Sequence, residues 1–317
     1  DLGINGNSEK IYIFDKELEI AINASNRLNK LLKCNLFIPK KLNVTNKSEL
    51  KMNLNDIDTV ISAVPYFLNE LVTDIAIDCK YNLVDLGGNT NIVKKQLLKH
   101  NQAISAEIGI TPDCGMGPGM NVTLSLLVME QFDSPKTIKI YDGGLPQNPV
   151  EPWNYNLFFN INGLTNEYDG CATYIRNSKI IEVECFEDIE TLKFDQFGEL
   201  EGAVTSGGLS TMPWTFKNIL ETLENKTLRY RGHWKDMIAY RQLGLFDLEE
   251  KEFNGHKIIP REFYHHLLEP KLNSGIVKDV CLMRIYGSGL KNNKKIDIQL
   301  DAIELYDEKT GFTAMEK

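Results

Sequence analysis

Metal-ligand spacing is missing from this chain. Its six cysteines, at 34, 79, 114, 171, 185 and 281, form no C-x-x-C pair and no cysteine–histidine cluster at zinc spacing. Thiols scattered in this way read as reduced cysteines, so no structural metal and no disulfide framework is expected. No apolar run approaches the ~20 residues a membrane span needs, and the first residues are not a signal peptide. Positive charge is also short. Lys and Arg number 35 against 44 Asp and Glu, a net charge of −9, which argues against nucleic acid and anionic membrane as partners. There is no internal repeat and no low-complexity tract. The expected compartment is the cytoplasm.

What remains is a globular composition, 42% hydrophobic and 25% charged over 317 residues, a length that suggests two domains. Residues 10–15 read as a short apolar strand ending in Asp15. Residues 16–33 follow as an amphipathic helix, with Leu18, Ala21, Ile22, Ser25, Leu28, Leu31 and Leu32 at helical spacing. Strands at 58–65, 81–88 and 103–107 alternate with helices at 66–79 and 91–100. Short strands alternating with longer helices indicate an α/β fold with a parallel sheet, whose ligands bind at the carboxyl ends of the strands. Asp15, Ala63-Val64-Pro65 and Gly87-Gly88 fall at those ends. From about Gly119 the texture becomes α+β. Strands are expected at 137–145, 155–161, 172–176, 180–184 and 295–306, and helices at 213–223 and 233–243.

The glycine-dense segment Pro112-Asp-Cys-Gly-Met-Gly-Pro-Gly-Met120 precedes an apolar helix. Such a turn lets a ligand approach bare backbone and a helix N-terminus; it equally serves as an ordinary tight turn. A dinucleotide-binding sheet begins with a G-x-G-x-x-G turn some 20 residues before a ribose-binding carboxylate. If Asp15 is that carboxylate, the turn lies upstream of Asp1, so the chain is expected to be truncated there. Its end likewise breaks off as a helix begins.

Seven segments carry a resemblance: Val60-Ile-Ser-Ala-Val-Pro-Tyr66, Pro112 to Met120, Gly143-Gly-Leu-Pro-Gln-Asn-Pro149, Gly163-Leu-Thr-Asn-Glu-Tyr168, Thr205-Ser-Gly-Gly-Leu-Ser-Thr211, Leu228-Arg-Tyr-Arg-Gly-His233 and Tyr306 to Met315. Together they resemble the saccharopine dehydrogenase family, most closely its lysine 6-dehydrogenase branch. The resemblance implies a Rossmann-type dinucleotide-binding domain over residues 1–118, to which 311–317 return. It implies an inserted α+β catalytic and dimerisation domain over 119–310. It further implies a homodimer and NAD-dependent oxidative deamination of the lysine side chain. Saccharopine reductases carry an aspartate at the position of Gly117; glycine here favours the lysine-oxidising side. The alternatives are an NADP-dependent secondary-amine oxidoreductase and a nucleotide-binding sensor without turnover.

Individual residues carry two readings each. Asp15 accepts ribose hydroxyls and repels a 2′-phosphate, favouring NAD over NADP, or it caps the next helix. Ala63, Val64, Pro65, Gly87 and Gly88 line the cofactor or simply make loops; by resemblance Met116, Gly117 and Pro118 form the floor beneath the nicotinamide. Asp113 anchors or deprotonates the reacting amine, whose pKa near ~10.4 demands help at neutral pH, or it caps a turn. Tyr168 is a polar pocket wall or a packed aromatic. Thr205, Ser206 and Gly207 match the family's substrate loop. Arg231 suits an α-carboxylate, and His233 relays a proton or is a satisfied histidine at a helix start. His265-His266 reads as surface.

Overall fold

A computed structural model describes residues 2–273, 275 and 277–317. The chain divides into two compact units: Asp1–Leu86 with Asn91–Pro112, and Gly87–Thr90 with Asp113–Lys317. Residues 311–317 therefore belong to the second unit, and the change of unit falls at 112/113, a few residues before the expected boundary.

In the first unit, α1 (Leu2–Asn5) precedes β1 (Ile11–Asp15), α2 (Leu18–Leu32) and β2 (Phe37–Lys41). The two strands pair in parallel, Ile11 opposite Phe37 and Asp15 opposite Lys41. The Asn29 side chain binds α2 to this pair, donating to the Phe37 carbonyl at 2.8 Å and accepting from its N–H at 3.0 Å. Next come α3 (Lys47–Leu54), β3 (Thr59–Ser62), α4 (Asn69–Cys79), β4 (Asn82–Asp85), α5 (Thr90–Leu97), α6 (His100–Ala106) and β5 (Ile110–Thr111). Strands β3, β4 and β5 form a second, three-stranded parallel sheet. Leu50, Leu54, Val72, Ile75, Ala76, Tyr81 and Leu83 pack as its core.

The strand expected at 103–107 is instead the end of α6. Glu107 adopts a left-handed conformation and its N–H closes the helix onto the Ala103 and Ile104 carbonyls. The strand that pairs with β4 starts beyond this cap, at Ile110.

The second unit opens with α7 (Met120–Met129) and the long strand β6 (Ser134–Pro146). It continues through α8 (Ile161–Glu167), β7 (Cys171–Arg176), β8 (Lys179–Glu184), β9 (Glu190–Phe194), β10 (Gly198–Val204), α9 (Met212–Phe216) and β11 (Thr222–Tyr230). Then follow α10 (His233–Gln242), the hairpin β12 (Lys251–Phe253) and β13 (His256–Ile258), α11 (Pro260–Leu272), β14 (Asp279–Lys291) and β15 (Lys294–Leu305). Eight strands make one mixed sheet in the order β15-β14-β6-β11-β10-β9, with β7 pairing β11 and β8 pairing β7. The β6–β11 pair is parallel and its neighbours are antiparallel.

Two expectations fail in this unit. Residues 155–161 form no strand, because Tyr155, Leu157 and Phe158 pack among the helices of an aromatic cluster with Trp234 and Tyr264. Residues 213–223 form only the short α9, and Thr222 already belongs to β11. Strand β11 was missed because its apolar residues are outnumbered by Glu224, Asn225, Lys226, Thr227 and Arg229. All of these are buried.

Candidate functional site

Alternation along a strand sends Asn225, Thr227 and Arg229 of β11 to one face of the sheet. The parallel register sets Thr227 opposite Asp142 of β6, so the four polar side chains share that face. A buried polar group is tolerable only with partners, and each has them. Asn225 donates to one Asp142 oxygen at 3.1 Å and Asn121, at the start of α7, donates to the other at 2.9 Å. Asn121 also donates to the Gly208 carbonyl at 2.9 Å, while its own oxygen accepts from Gly119 and Val122 N–H groups at 3.1 and 2.7 Å. Its amide orientation is thereby fixed. Burial pushes the Asp142 carboxyl up to about 6, against the hydrogen bonds from Asn225 and Asn121 that favour its charged form.

Thr227 donates to a Glu167 oxygen at 2.8 Å, and its hydroxyl lies 2.6 Å from that of Thr205. With its one proton given to Glu167, Thr227 accepts from Thr205. Arg229 donates through Nε to the Tyr168 hydroxyl at 2.8 Å and through Nη1 to the Leu228 carbonyl at 2.8 Å. Its Nη2 lies 3.7 Å from Glu167. The Tyr168 hydroxyl is 2.9 Å from His233 Nε2, and His233 Nδ1 is 3.1 Å from the Trp153 carbonyl. A carbonyl can only accept, so Nδ1 carries the proton and Nε2 accepts from Tyr168. His233 is wholly buried; burial and the neighbouring Arg229 cation hold its pKa down at about 3. His233 is thus a neutral link in a chain from Arg229 through Tyr168 to Trp153. That geometry favours the satisfied histidine over the proton relay, and makes Tyr168 both a packed aromatic and a hydrogen-bonded group.

The loop after β10 is tied down residue by residue. Beyond the Thr205–Thr227 contact, Ser206 donates its N–H to the Glu167 carbonyl at 2.8 Å and its hydroxyl to the Asn166 carbonyl at 2.7 Å. Gly207 takes φ +86°, and the Ser210 hydroxyl donates to Asp113. Asp113 is buried, at φ +59°. Gly88 accepts at its carbonyl from Asn166 Nδ2 at 3.0 Å.

The glycine-rich turn lies against the same group. Gly119 sits at φ +140°, where a Cβ would stand 2.1 Å from the Gly115 carbonyl oxygen; no other residue fits there. A Cβ on Gly117 would stand 2.6 Å from Asp142 Oδ2. Gly117 is nonetheless open to solvent, while Pro118 is buried. Met116 contributes to a sulfur-lined cluster, its Sδ 3.0 Å from Cys281 Sγ.

The remaining expected residues lie apart from this group. Arg231 is exposed: β11 ends at Tyr230 and the chain turns through Gly232, at φ +96°, into α10. The arginine the sheet does place in the group is Arg229. His265 is not at the surface but buried, 2.7 Å from the Thr165 hydroxyl, whereas His266 is exposed. In the first unit, Asp15 ends β1 and Ala63, Val64 and Pro65 follow β3, each at the carboxyl end of a parallel strand. One Asp15 oxygen accepts the Glu17 N–H at 2.8 Å. Gly87 and Gly88 follow β4. No G-x-G-x-x-G stands in the sequence to face a diphosphate. Among the described residues no three His, Cys, Asp or Glu side chains converge as metal ligands, and no helix is long and apolar enough to cross a membrane.

Residues 115–317 match the profile of the saccharopine dehydrogenase C-terminal domain. The mitochondrial alpha-aminoadipic semialdehyde synthase of Mus musculus is 25% identical over 252 residues, covering 74% of this chain and 26% of that protein. The NADP(+), L-glutamate-forming saccharopine dehydrogenase of Pyricularia oryzae is 24% identical, covering 68% of this chain and 49% of that protein. The chain thus spans between a quarter and a half of these relatives. Among solved structures, apo saccharopine dehydrogenase (L-Glu forming) from Saccharomyces cerevisiae superposes with a TM-score of 0.75 at 18% identity, covering 99% of this chain and 84% of the other. Homospermidine synthase from Legionella pneumophila, solved with NAD, gives 0.51 at 12% identity, covering 88% and 71%. These likenesses show a shared α/β architecture of parallel sheets and a mixed sheet.

Proposed function

The chain belongs to the saccharopine dehydrogenase family, and we propose that it serves an NAD(P)-dependent oxidation at the amine-bearing side-chain carbon of lysine. The observation that carries this reading is Asp142. It is a buried carboxyl with a pKa pushed up to about 6, held by two amides beside the solvent-open backbone of Gly117. A hydride leaves an amine-bearing carbon only when the nitrogen lone pair is free, so the ammonium must first lose a proton. A base is best suited when its pKa lies near the working pH, and Asp142 is closer to that than an ordinary carboxylate. In this reading Asp142 takes the proton, and Asn121 and Asn225 hold its two oxygens in place. Nicotinamide, when bound, supplies the hydride acceptor. Water then adds to the iminium carbon, releasing ammonia and an aldehyde.

The first unit belongs to the cofactor on this proposal, as a Rossmann-type half in which Asp15 would hold the ribose hydroxyls and select NAD. Gly117 and Asp142 bear on the substrate. A side chain at 117 would occupy the space that the Asp142 carboxylate fills, so the acid reaches this place from β6 rather than from the turn. Oxidation of the secondary amine of saccharopine with NADP is the second reading, favoured by what the curated relatives are named for.

The test supplies the protein with NAD or NADP and, in turn, lysine, ornithine, saccharopine and carboxynorspermidine, following reduced nicotinamide. Lysine with NAD is the expected pair, and Asp142→Asn lowers turnover without abolishing cofactor binding. Turnover of saccharopine alone would replace the reading with the second. Cofactor binding without turnover of any of the four would leave a nucleotide-binding sensor.

A further inference from the structure

The reaction proposed above gives no role to Asn166. It is half-buried in the last turn of α8, and both its backbone and its side chain are engaged. Its carbonyl accepts the Ser206 hydroxyl at 2.7 Å, while its Nδ2 donates to the Gly88 carbonyl at 3.0 Å. Ser206 adds a second bond, its N–H donating to the Glu167 carbonyl at 2.8 Å. The loop after β10 thus pins the backbone of Asn166 and leaves its amide a fixed donor aimed at one carbonyl.

That carbonyl belongs to a short strap. Gly87–Thr90 follow β4 and lead into α5, yet they group with the second unit, whereas Leu86 and Asn91 on either side group with the first. The chain therefore leaves the first unit at the carboxyl end of β4 and returns at once. Gly87 takes φ +74° and Gly88 φ +120°, and two adjacent glycines make a permissive backbone. Here that freedom is removed from two sides. Gly87 lies against Asp113, where a Cβ would stand 1.9 Å from Oδ1, and Asp113 is itself bonded by Ser210. Gly88 is bonded by Asn166.

Ligands of parallel sheets bind at the carboxyl ends of the strands, and a dinucleotide occupies two sets of them. On the reading above, Asp15 of the β1–β2 pair takes the adenosine ribose. The nicotinamide half then falls to β3, β4 and β5, and to the strap that leaves β4. We propose that Asn166 is a positioning residue, whose bond to Gly88 holds the Gly87–Gly88 strap in the conformation that receives the nicotinamide half of the cofactor. This deepens the function given above and rests on its assignment of a nicotinamide cofactor. A strap freed from Asn166 samples other conformations, and apparent affinity falls with the fraction of chains that stays competent. One neutral hydrogen bond is worth roughly 2- to 10-fold in such an equilibrium.

The test titrates the full chain with two pairs of probes: NADH against ADP-ribose, and NADPH against 2′-phospho-ADP-ribose. The second member of each pair lacks only the nicotinamide ring. In the pair the wild type binds better, Asn166→Ala should weaken the nicotinamide-bearing probe by roughly 2- to 10-fold and leave the other unchanged. Asn166→Asp, equal in size but with an acceptor facing the Gly88 carbonyl, should weaken it at least as much. Unchanged affinity in both variants overturns the inference. So does an equal loss with both members of the pair, which is what a merely structural role would give. Hydrogen exchange adds a ligand-free readout: amides 88–91 should exchange faster in Asn166→Ala while those of β11 do not, and protection equal to the wild type's would refute the tie. Lysine turnover separates the two readings. If the probes discriminate the variants while no amine is oxidised, the reaction falls and the strap stands. If Asn166→Ala oxidises lysine with the kcat and KM of the wild type, the reaction stands and the strap falls. A wild type that binds none of the probes overturns both.

Discussion

Acidification pulls on two buried groups in opposite directions. His233 has a folded-state pKa of about 3 against 6.5 when exposed, because burial and the Arg229 cation refuse it a proton. The unfolded imidazole accepts that proton, so the stability is fully present above 6.5 and is lost as pH falls toward 3. Between about pH 7.5 and about pH 5 the loss is about 2 kcal/mol, at ~1.36 kcal/mol per unit. Asp142 behaves inversely. Its carboxyl is raised from 3.8 to about 6, so its contribution is fully present below 3.8 and is lost as pH rises through 6. The same acidification returns about 1.4 kcal/mol. The two nearly cancel in the wild type, which therefore reveals neither.

Single variants separate them. In His233→Gln the Asp142 gain is left alone, so whatever the substitution costs at about pH 7.5 should shrink by about 2 kcal/mol at about pH 5. In Asp142→Asn the deficit should instead widen by about 1.4 kcal/mol over the same range. Other titrating groups, His265 among them, are common to variant and wild type and drop out of the difference. Urea unfolding followed by tryptophan fluorescence reads the relevant unit, because Trp153, Trp214 and Trp234 all lie in it. Parallel stability profiles for His233→Gln and the wild type would refute the neutral His233 and, with it, the donor direction running from Arg229 through Tyr168 to Trp153.

Two further substitutions probe the packing around the site. Gly117→Ala drives a methyl to 2.6 Å from Asp142 Oδ2 and 3.1 Å from Asn121 Nδ2; both side chains are held by other bonds, so a loss of about 1–3 kcal/mol is expected in the same urea curves. An unchanged midpoint would show that the turn can move away from β6. Asp279 accepts the N–H groups of Ala314 and Met315 at 2.6 and 3.0 Å, and Asp279→Asn keeps one acceptor while turning an amide against the other N–H. About 1–3 kcal/mol should be lost locally, visible as faster hydrogen exchange at 314 and 315 with the sheet amides unaffected; global acceleration would refute a local clasp.

The contrast between the two units explains what was legible in the sequence. In the first unit the parallel strands β1, β3 and β4 are short apolar runs bounded by turns, and their carboxyl ends with Asp15, Pro65 and Gly87 could be read directly. Strand β5 was misplaced, because Ala103-Ile-Ser-Ala suits a helix as well as a strand and the αL turn at Glu107 has no strong sequence signal, and β2 and α3 were not expected. The flanking helix α2 was likewise periodic enough to find.

Strand β11 is the opposite case, and it carries the site. A central strand is expected to be apolar because both faces are covered, yet Glu224, Asn225, Lys226, Thr227 and Arg229 run through this one. Each is buried against a specific partner: Arg176, Asp142, Glu190, Glu167 and Tyr168. Hydropathy cannot register such a strand, since the partners that make its burial tolerable come from β6, β7, the segment between β8 and β10, and α8. Arg231, the arginine expected to meet a carboxylate, is exposed, and the buried arginine is Arg229. Arg229 and Arg231 are alike in the sequence Leu-Arg-Tyr-Arg-Gly, and only the end of β11 at Tyr230 decides which of them stays on the sheet. A run of polar residues that alternates in register, closed by a glycine before a helix, is the signal that was there to be used. Such a strand is costly to bury unless each side chain finds its counterpart, and the stripe Asn225–Thr227–Arg229 finds them beside Asp142. The features that hid the strand from a hydrophobic reading are therefore the same polar side chains whose partners make its burial tolerable.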